Sequence, residues 1–362
     1  MQSLPQELFD KLLSLLPQED LVHCACVSTV WARATSRQLV KHVRLYTPAS
    51  GPKLLQYLRE RPALGTLVRS LDCKVAHSRQ REAAIALHGS SGSSKSALVN
   101  ILALVIHLEW LGLPQLVSST VEDTFVAIEY LIGLTTLRLH CKMVPNIHND
   151  QHNVRVEHSQ LQHTLRQLDC LQHLHLSEFA FFQKLQLPGS IKHLILDECT
   201  NLMQGPLFSA AGLEHLDVLS SPKAGTSPQA YRLLDQPFGD VASFLRRLTF
   251  RNKDSAILNT ELDVDSPLSF LQPFTSLTSL KAPDTLTRFQ YLNPLPESLE
   301  DVELEVPFLH PEEVSMLFSP SKTPHVRSVS IACPYRDKAF WAPARHALES
   351  KNIDLVVCCG AQ

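Results

Sequence analysis

One short pattern constrains this chain more than anything else in it: an aliphatic residue, two others, an aliphatic, one other, an aliphatic. It reads Val40-Val43-Leu45, Val68-Leu71-Cys73, Ala103-Ile106-Leu108, Leu134-Leu137-Leu139 and Leu171-Leu174-Leu176. It continues through Ile191-Leu194-Leu196, Leu213-Leu216-Val218, Leu245-Leu248-Phe250, Leu277-Leu280-Ala282, Leu299-Val302-Leu304 and Val326-Val329-Ile331. A last strand-like piece, IDLVVCC, ends at Cys359. The middle residues Leu174, Leu194 and Leu216 lie 20 and 22 apart, Leu248 and Leu280 lie 32 apart, and Leu280 and Val302 lie 22 apart. Alternation along a strand sends residues two apart to one face and the residue between them to the other. One such unit has nothing to cover its own apolar edge, so the units must stack around a shared core.

The returns between units read as short and irregular. Proline follows three of the strands at one offset, as Pro48, Pro307 and Pro334, where a missing N–H stops the ladder. Twenty-three prolines against twelve glycines suit such returns better than tight hairpins. The polar stretches His77 to Gln80, Lys142 to Gln160 and Ser220 to Pro228 read as surface loops. The longest apolar run, Ala97 to Leu113, is broken by Asn100, His107 and Glu109, which makes it a core segment and not a membrane span. The net charge of -3 gives no general attraction to nucleic acid or to an anionic membrane. MQSLPQELFDKLL has neither a basic region nor a small-residue cleavage site, so no signal peptide is expected. Nine scattered cysteines without a C-x-x-C pair read as free thiols in the cytoplasm or nucleus.

The first forty residues obey a different period. Leu8, Leu12, Leu15 and Leu16 recur at helical spacing, and Leu16-Pro17 stops that helix because the residue before proline is pushed out of the α region. Pro17 opens a second helix with Glu19 and Asp20 in its first turn, favourable to the helix dipole. Leu21, Cys24, Ala25 and Ser28 give that helix a small-residue face, and Trp31 opens a third segment towards Val43. Three short helices bury little surface alone, so they need a partner or the domain behind them.

The blocks Leu4-Pro5-x-Glu7-Leu8, Leu16-Pro17-x-x-Asp20-Leu21 and Val27-Ser28-x-x-Trp31 resemble the F-box, in order and without a gap, over residues 3 to about 43. That resemblance implies docking onto the Skp-type adaptor of a cullin–RING ubiquitin ligase through Leu4, Pro5, Leu8, Leu12, Leu16, Pro17 and Leu21. It also implies that Val27 and Trp31 form the internal core of the module. The recurring units resemble the leucine-rich repeat, with uneven lengths. The asparagine of the regular repeat has only fragmentary counterparts, Asn252 or the cysteines Cys73, Cys141 and Cys199. The expected fold class is therefore α/β: a three-helix F-box over residues 1–45, then over 46–362 an irregular leucine-rich-repeat solenoid with a concave parallel sheet. A flexible insertion is expected near 78–97. The combination resembles the F-box/leucine-rich-repeat substrate receptors expanded in fungi.

Several groupings look like chemistry. Gly89 to Ser96, GSSGSSKS, matches the phosphate-binding G-x-x-x-x-G-K-[ST] except that Ser94 replaces the second glycine, and LILDE at Leu194 to Glu198 resembles its metal-binding partner. The loop needs that glycine so that its N–H groups can wrap phosphate, and LILDE is already a repeat strand, so a Gly/Ser-rich insertion is the plainer reading. His173, His193 and His215 occupy one repeat position in successive units and should form a column on the exposed face. A solvated polar position accounts for them more simply than a metal strip, because no carboxylate or cysteine recurs at ligand spacing. The loop histidines His148, His152, His158 and His163 follow no ligand template. The same face should carry Arg247, Arg251 and Lys281, followed by Asp301, Glu303 and Glu305, a charge separation able to orient a protein target.

No zinc set, nucleophile elbow or dinucleotide turn is found, so no catalysis, cofactor or metal is expected. The expected role is the substrate-recognition subunit of an SCF-type ligase, working by proximity on a protein target not identified by sequence. The alternatives are a non-ligase repeat scaffold whose N-terminal helices cap the solenoid, and a nucleotide-dependent switch at Gly89 to Ser96 that would lose binding in Lys95→Ala.

Overall fold

The computed structural model describes residues 5–47, 50–73, 96–115, 121–140, 158–181, 183–201, 208–210, 212–220, 241–252, 271, 274–283, 295–305, 310–318, 323–332 and 338–358. The chain divides into two compact units, Met1–Gln172 and His173–Gln362. The first begins with three helices, α1 (Gln6–Ser14), α2 (Gln18–Ala25) and α3 (Thr29–Lys41). Four strands follow, β1 (His42–Arg44), β2 (Ser70–Asp72), β3 (Trp110–Gln115) and β4 (Thr136–His140). They pair in parallel and in chain order, with Val43 opposite Leu71, Leu71 opposite Leu111, and Leu111 opposite Leu137. Helices at Ser50–Glu60, Ala97–Leu102, Val121–Glu129 and His158–Gln167 alternate with them.

The second unit repeats the same plan with eight strands in one parallel sheet. They are β5 (His173–Ser177), β8 (His193–Asp197), β11 (His215–Ser220), β12 (Arg247–Asn252), β13 (Ser279–Pro283), β14 (Asp301–Glu305), β15 (Ser328–Ala332) and β16 (Asp354–Cys358). Two minor ladders join β6 (Ala180–Phe181) to β9 (Thr200–Asn201) and β7 (Leu185–Gln186) to β10 (Phe208–Ser209). The register puts Leu174, Leu194, Leu216, Leu248, Leu280, Val302, Val329 and Leu355 side by side. The first seven are the middle residues of the sequence pattern, Leu355 belongs to the last strand-like piece, and every one is buried. The fold is thus the expected α/β arrangement of N-terminal helices followed by parallel strands alternating with helices.

The repeat is visible in the backbone as well. Glu178 and Glu198, each just past its strand, both take left-handed φ values of 53 and 52°. Their amides donate to the next unit, to Asp197 O at 2.7 Å and Leu219 O at 2.8 Å. Cys199, one of the residues expected from sequence to stand in for the repeat asparagine, is buried, and its Sγ donates to Leu176 O of the neighbouring strand at 3.3 Å. Cys73 is buried too, and burial first, with Asp72 second, pushes its thiol up to about 12. It packs as an inert small hydrophobe.

One strand lies elsewhere than its pattern suggested. Ala103-Ile106-Leu108 does not form a strand: Ala103 caps the helix Ala97–Leu102, and Ile106 is exposed in a turn. The strand is β3, whose frame is Leu108-Leu111-Leu113, all buried. Both frames share Leu108, and the chain uses the one whose middle residue aligns with Leu71 and Leu137. Pro114 sits within β3 where the register shifts between Gly112 and Gln115, a place that requires no N–H from it. The polar stretch from Lys142 also ends sooner than expected, because His158 opens a helix. Pro48, Pro307 and Pro334, His77 to Gln80, Ser221 to Pro228 and most of the 78–97 insertion lie outside the described residues. Among the described residues no helix is long and apolar enough to cross a membrane.

Candidate functional site

Two surfaces stand out, and the first is built by α1–α3. Pro5 is the N-cap of α1 at φ -51°, and its carbonyl accepts from the amides of Leu8 and Phe9, both at 3.1 Å. Pro17 does the same for α2, accepting from Leu21 N at 3.1 Å. Ser28 caps α3, its Oγ accepting from Trp31 N at 3.3 Å. Leu13, Leu21 and Ala34 form the interior, with Phe9, Trp31 and Leu39 packed against them. Phe9 and Trp31 meet edge to face at 4.7 Å, and Gln38 Nε2 donates to Asp10 O at 3.1 Å, tying α3 to α1.

The outside of this module is apolar. Leu8, Leu12, Leu15 and Leu16 are exposed along α1 and its C-terminal turn, and Val22, Val27 and Val30 are exposed on and between the next two helices. Of the residues singled out by sequence, Pro5, Leu8, Leu12, Leu16 and Pro17 are at the surface and Leu4 lies outside the described residues. Leu21 faces inward, 6% exposed, in the core with Leu13 and Ala34. Val27 is 68% exposed instead of being core, whereas Trp31 does pack inside. Leu13 was missed as an interior residue. Phe9 and Leu13, four apart on one helical face, carried the signal.

The second surface is the open face of the sheet in the second unit, opposite the buried leucines. The register places residues there in rows across the strands. The first row runs His173, His193, His215, Arg247, Ser279, Asp301, Ser328 and Asp354. The expected histidine column is therefore present, with ring centroids 5.6 Å apart from His173 to His193 and 5.7 Å from His193 to His215. Burial, and then the His193 ring, lowers the pKa of His173. His215 is lowered by burial, then by Arg247 and His193, against opposing pulls from Glu214 and Asp217. Carboxylates do recur beside the column, one residue pair further along: His193 Nε2 lies 3.0 Å from Asp217 Oδ2, and His175 Nε2 lies 3.6 Å from Asp197 Oδ2. Ser177 Oγ donates to that same Asp197 oxygen at 3.3 Å. Among the described residues no three His, Cys, Asp or Glu side chains gather closely enough to hold a metal ion.

The remaining candidates divide by row. Lys281 and Glu303 lie opposite one another in the second row and form an ion pair. Arg251 and Glu305 occupy backbone positions in the third row. The column just before the first row pairs its charges between repeats, Lys192 with Glu214 at 3.2 Å and Arg327 with Glu300 at 3.8 Å. The Lys192 hydrogen bond is the first cause that lowers the Glu214 carboxyl below its usual value. In the first row, by contrast, Arg247, Asp301 and Asp354 make no ion pair among the described residues.

The nucleotide alternative concerns residues that lie outside the described set except Ser96. That residue is buried, and its Oγ accepts from Leu98 N and Val99 N, capping the helix Ala97–Leu102. Of the loop histidines, His148 and His152 lie outside the described residues, His158 opens a helix, and His163 stands 3.9 Å from Glu129.

The architecture defines a class: a small helical module with an apolar exterior, carried on an α/β chain of stacked parallel strands. Comparison with known families agrees at the N-terminus, where residues 1–46 match the F-box-like family. No curated protein matches the chain.

Proposed function

We propose that this protein is the substrate-recognition subunit of an SCF-type cullin–RING ubiquitin ligase, with an F-box over residues 1–45 and leucine-rich repeats over 46–362. The observation that carries the reading is the row of exposed leucines on α1 inside the F-box-like match. A module this small gains little by leaving Leu8, Leu12, Leu15 and Leu16 in water, and a Skp-type adaptor is what an F-box presents them to. Pro5, Leu8, Leu12, Leu16 and Pro17 are the proposed contacts, with Leu21 supporting them from inside. The open face of the repeat domain holds the target. The chain then acts non-catalytically, raising the effective concentration of target beside a ubiquitin-transferring enzyme bound through cullin–RING. Free thiols at Cys24, Cys26, Cys73, Cys170, Cys199 and Cys358 suit a cytoplasmic or nuclear setting.

The scaffold reading keeps one observation in its favour: α3 runs directly into β1, His42 being both the C-cap of the helix and the first residue of the strand. Co-expression with a Skp-type adaptor separates the two. Stable co-elution of the full chain, abolished in a folded Leu8→Asp, Leu12→Asp, Leu16→Asp variant, supports the receptor. No co-elution by a folded wild type leaves the helices as a cap.

A further inference from the structure

The charges of the first row that make no ion pair among the described residues are evenly spaced. Arg247, Asp301 and Asp354 stand on β12, β14 and β16, two strands apart each time, with Ser279 and Ser328 between them. Two strands back from Arg247 is His193, flanked by His215 and His173. Neighbouring strands lie about 4.8 Å apart, so the interval is about 10 Å. A polyproline II segment turns once in three residues at about 3.1 Å each, about 9 Å per turn, and presents every third side chain on one side. Several charges around this row are already matched within the chain: Lys281 with Glu303 and Lys192 with Glu214 beside it, and within it His193 with Asp217 of the next row. What the first row leaves open is the N–H groups of the His173 and His215 imidazoles and the Arg247 guanidinium, followed by a carboxylate half. A segment with the opposite order of charge complements both.

We propose that the open face binds an extended, polyproline II segment of a protein target running across the strands, with acidic residues over the histidine column and Arg247 and basic residues over Asp301 and Asp354. This rests on reading the second unit as the target-holding part of the receptor and assigns it a substrate class. The acidic positions fall three residues apart and the basic positions follow at the same step, so the recognised element is ten residues long, charged at its first, fourth, seventh and tenth positions. The His173 and His215 imidazoles, on either side of the His193–Asp217 pair, supply N–H donors to the first carboxylate and Arg247 a charge-assisted fork to the second. Asp301 and Asp354 accept from the two basic side chains.

The test is fluorescence anisotropy on the full chain with a labelled Pro/Gln-rich ten-residue peptide carrying glutamate at positions one and four and lysine at seven and ten. The control has the same composition with the charges alternating. Saturable binding of the segregated peptide, at least roughly tenfold tighter than the control, is the expected result. Equal binding of the two, or no binding, overturns the proposal from the wild-type protein alone. In an Arg247→Glu, Asp301→Lys variant that keeps the circular dichroism of the parent, the preference should invert towards the alternating control (glutamate at one and seven, lysine at four and ten), which then complements the row at all four positions. An unchanged preference also overturns it. Adaptor co-elution, measured on the same preparation, reports separately on the receptor reading: a protein that holds the adaptor but ignores the peptide loses only this inference.

Discussion

At the residue scale, the histidines of the open face make stability depend on pH in a definite direction. His173 and His215 both have folded-state pKa values below the ordinary 6.5, first because they are partly buried. Above 6.5 both states are neutral and these groups contribute no slope. As the pH falls below 6.5 the unfolded chain takes up protons before the folded one does. The stability present above 6.5 is therefore lost as the pH falls through the folded values. The groups facing His215 are His193 on β8, Arg247 on β12 and Glu214 and Asp217 on or beside its own strand, and the two carboxylates only partly offset the burial and the cations. The melting temperature should drop between pH 7 and 5.5, and His173→Gln, His215→Gln should flatten that drop. A slope unchanged in the double variant would remove these groups as its cause. This behaviour was not legible from the sequence. The column was, because three histidines shared one repeat position. Their depressed basicity depends on burial and on the neighbouring His193 ring, and for His215 also on Arg247, which arrives from a strand 32 residues away.

At the element scale, strand positions were legible because the pattern is written in buried side chains. Leu194 is fully buried and Ile195, its neighbour on the open face, is not. Leu194→Ala should cost about 3 kcal/mol by denaturant unfolding, and Ile195→Ala under about 1 kcal/mol, because only the first leaves a cavity. Equal costs would mean that the face assignment is wrong. The frame at β3 was not legible, since Leu108 serves two overlapping patterns and only pairing with β2 and β4 chooses between them. Turns were harder still. Asn352 takes φ 60° just past the helix Ala342–Glu349, where Ile353 N donates to Leu348 O at 3.0 Å, closing the helix before β16. Asparagine tolerates that conformation better than most residues and glycine best. Asn352→Ala should therefore lower stability by about 1 kcal/mol while Asn352→Gly stays near wild type in the same unfolding assay.

At the scale of the whole molecule, the N-terminal module and the repeats are stabilised by different means. Each inner repeat strand buries its leucines between two neighbours, so its packing is shared along the array. Among its described residues the module buries only three apolar side chains, Leu13, Leu21 and Ala34, and leaves Leu8, Leu12, Leu15 and Leu16 outside. Sequence alone gave the leucine stripe without its sidedness, because Leu12 and Leu13 are adjacent and both apolar, and only the packing of Phe9 and Trp31 decides which one turns in. A partner that binds the folded module and not the unfolded one stabilises it by mass action, by about 2.7 kcal/mol at a concentration of 100 Kd. Adding a Skp-type adaptor should therefore slow amide exchange in α1–α3 about a hundredfold at that concentration, while β13–β15 exchange as before. If α1–α3 are instead a cap on the solenoid, their exchange is set by the chain itself and the adaptor leaves it unchanged. The same measurement tests Leu21. Leu21→Ala should speed exchange in all three helices without adaptor present, whereas Leu12→Ala should leave the free protein as it was and weaken only the protection that the adaptor confers.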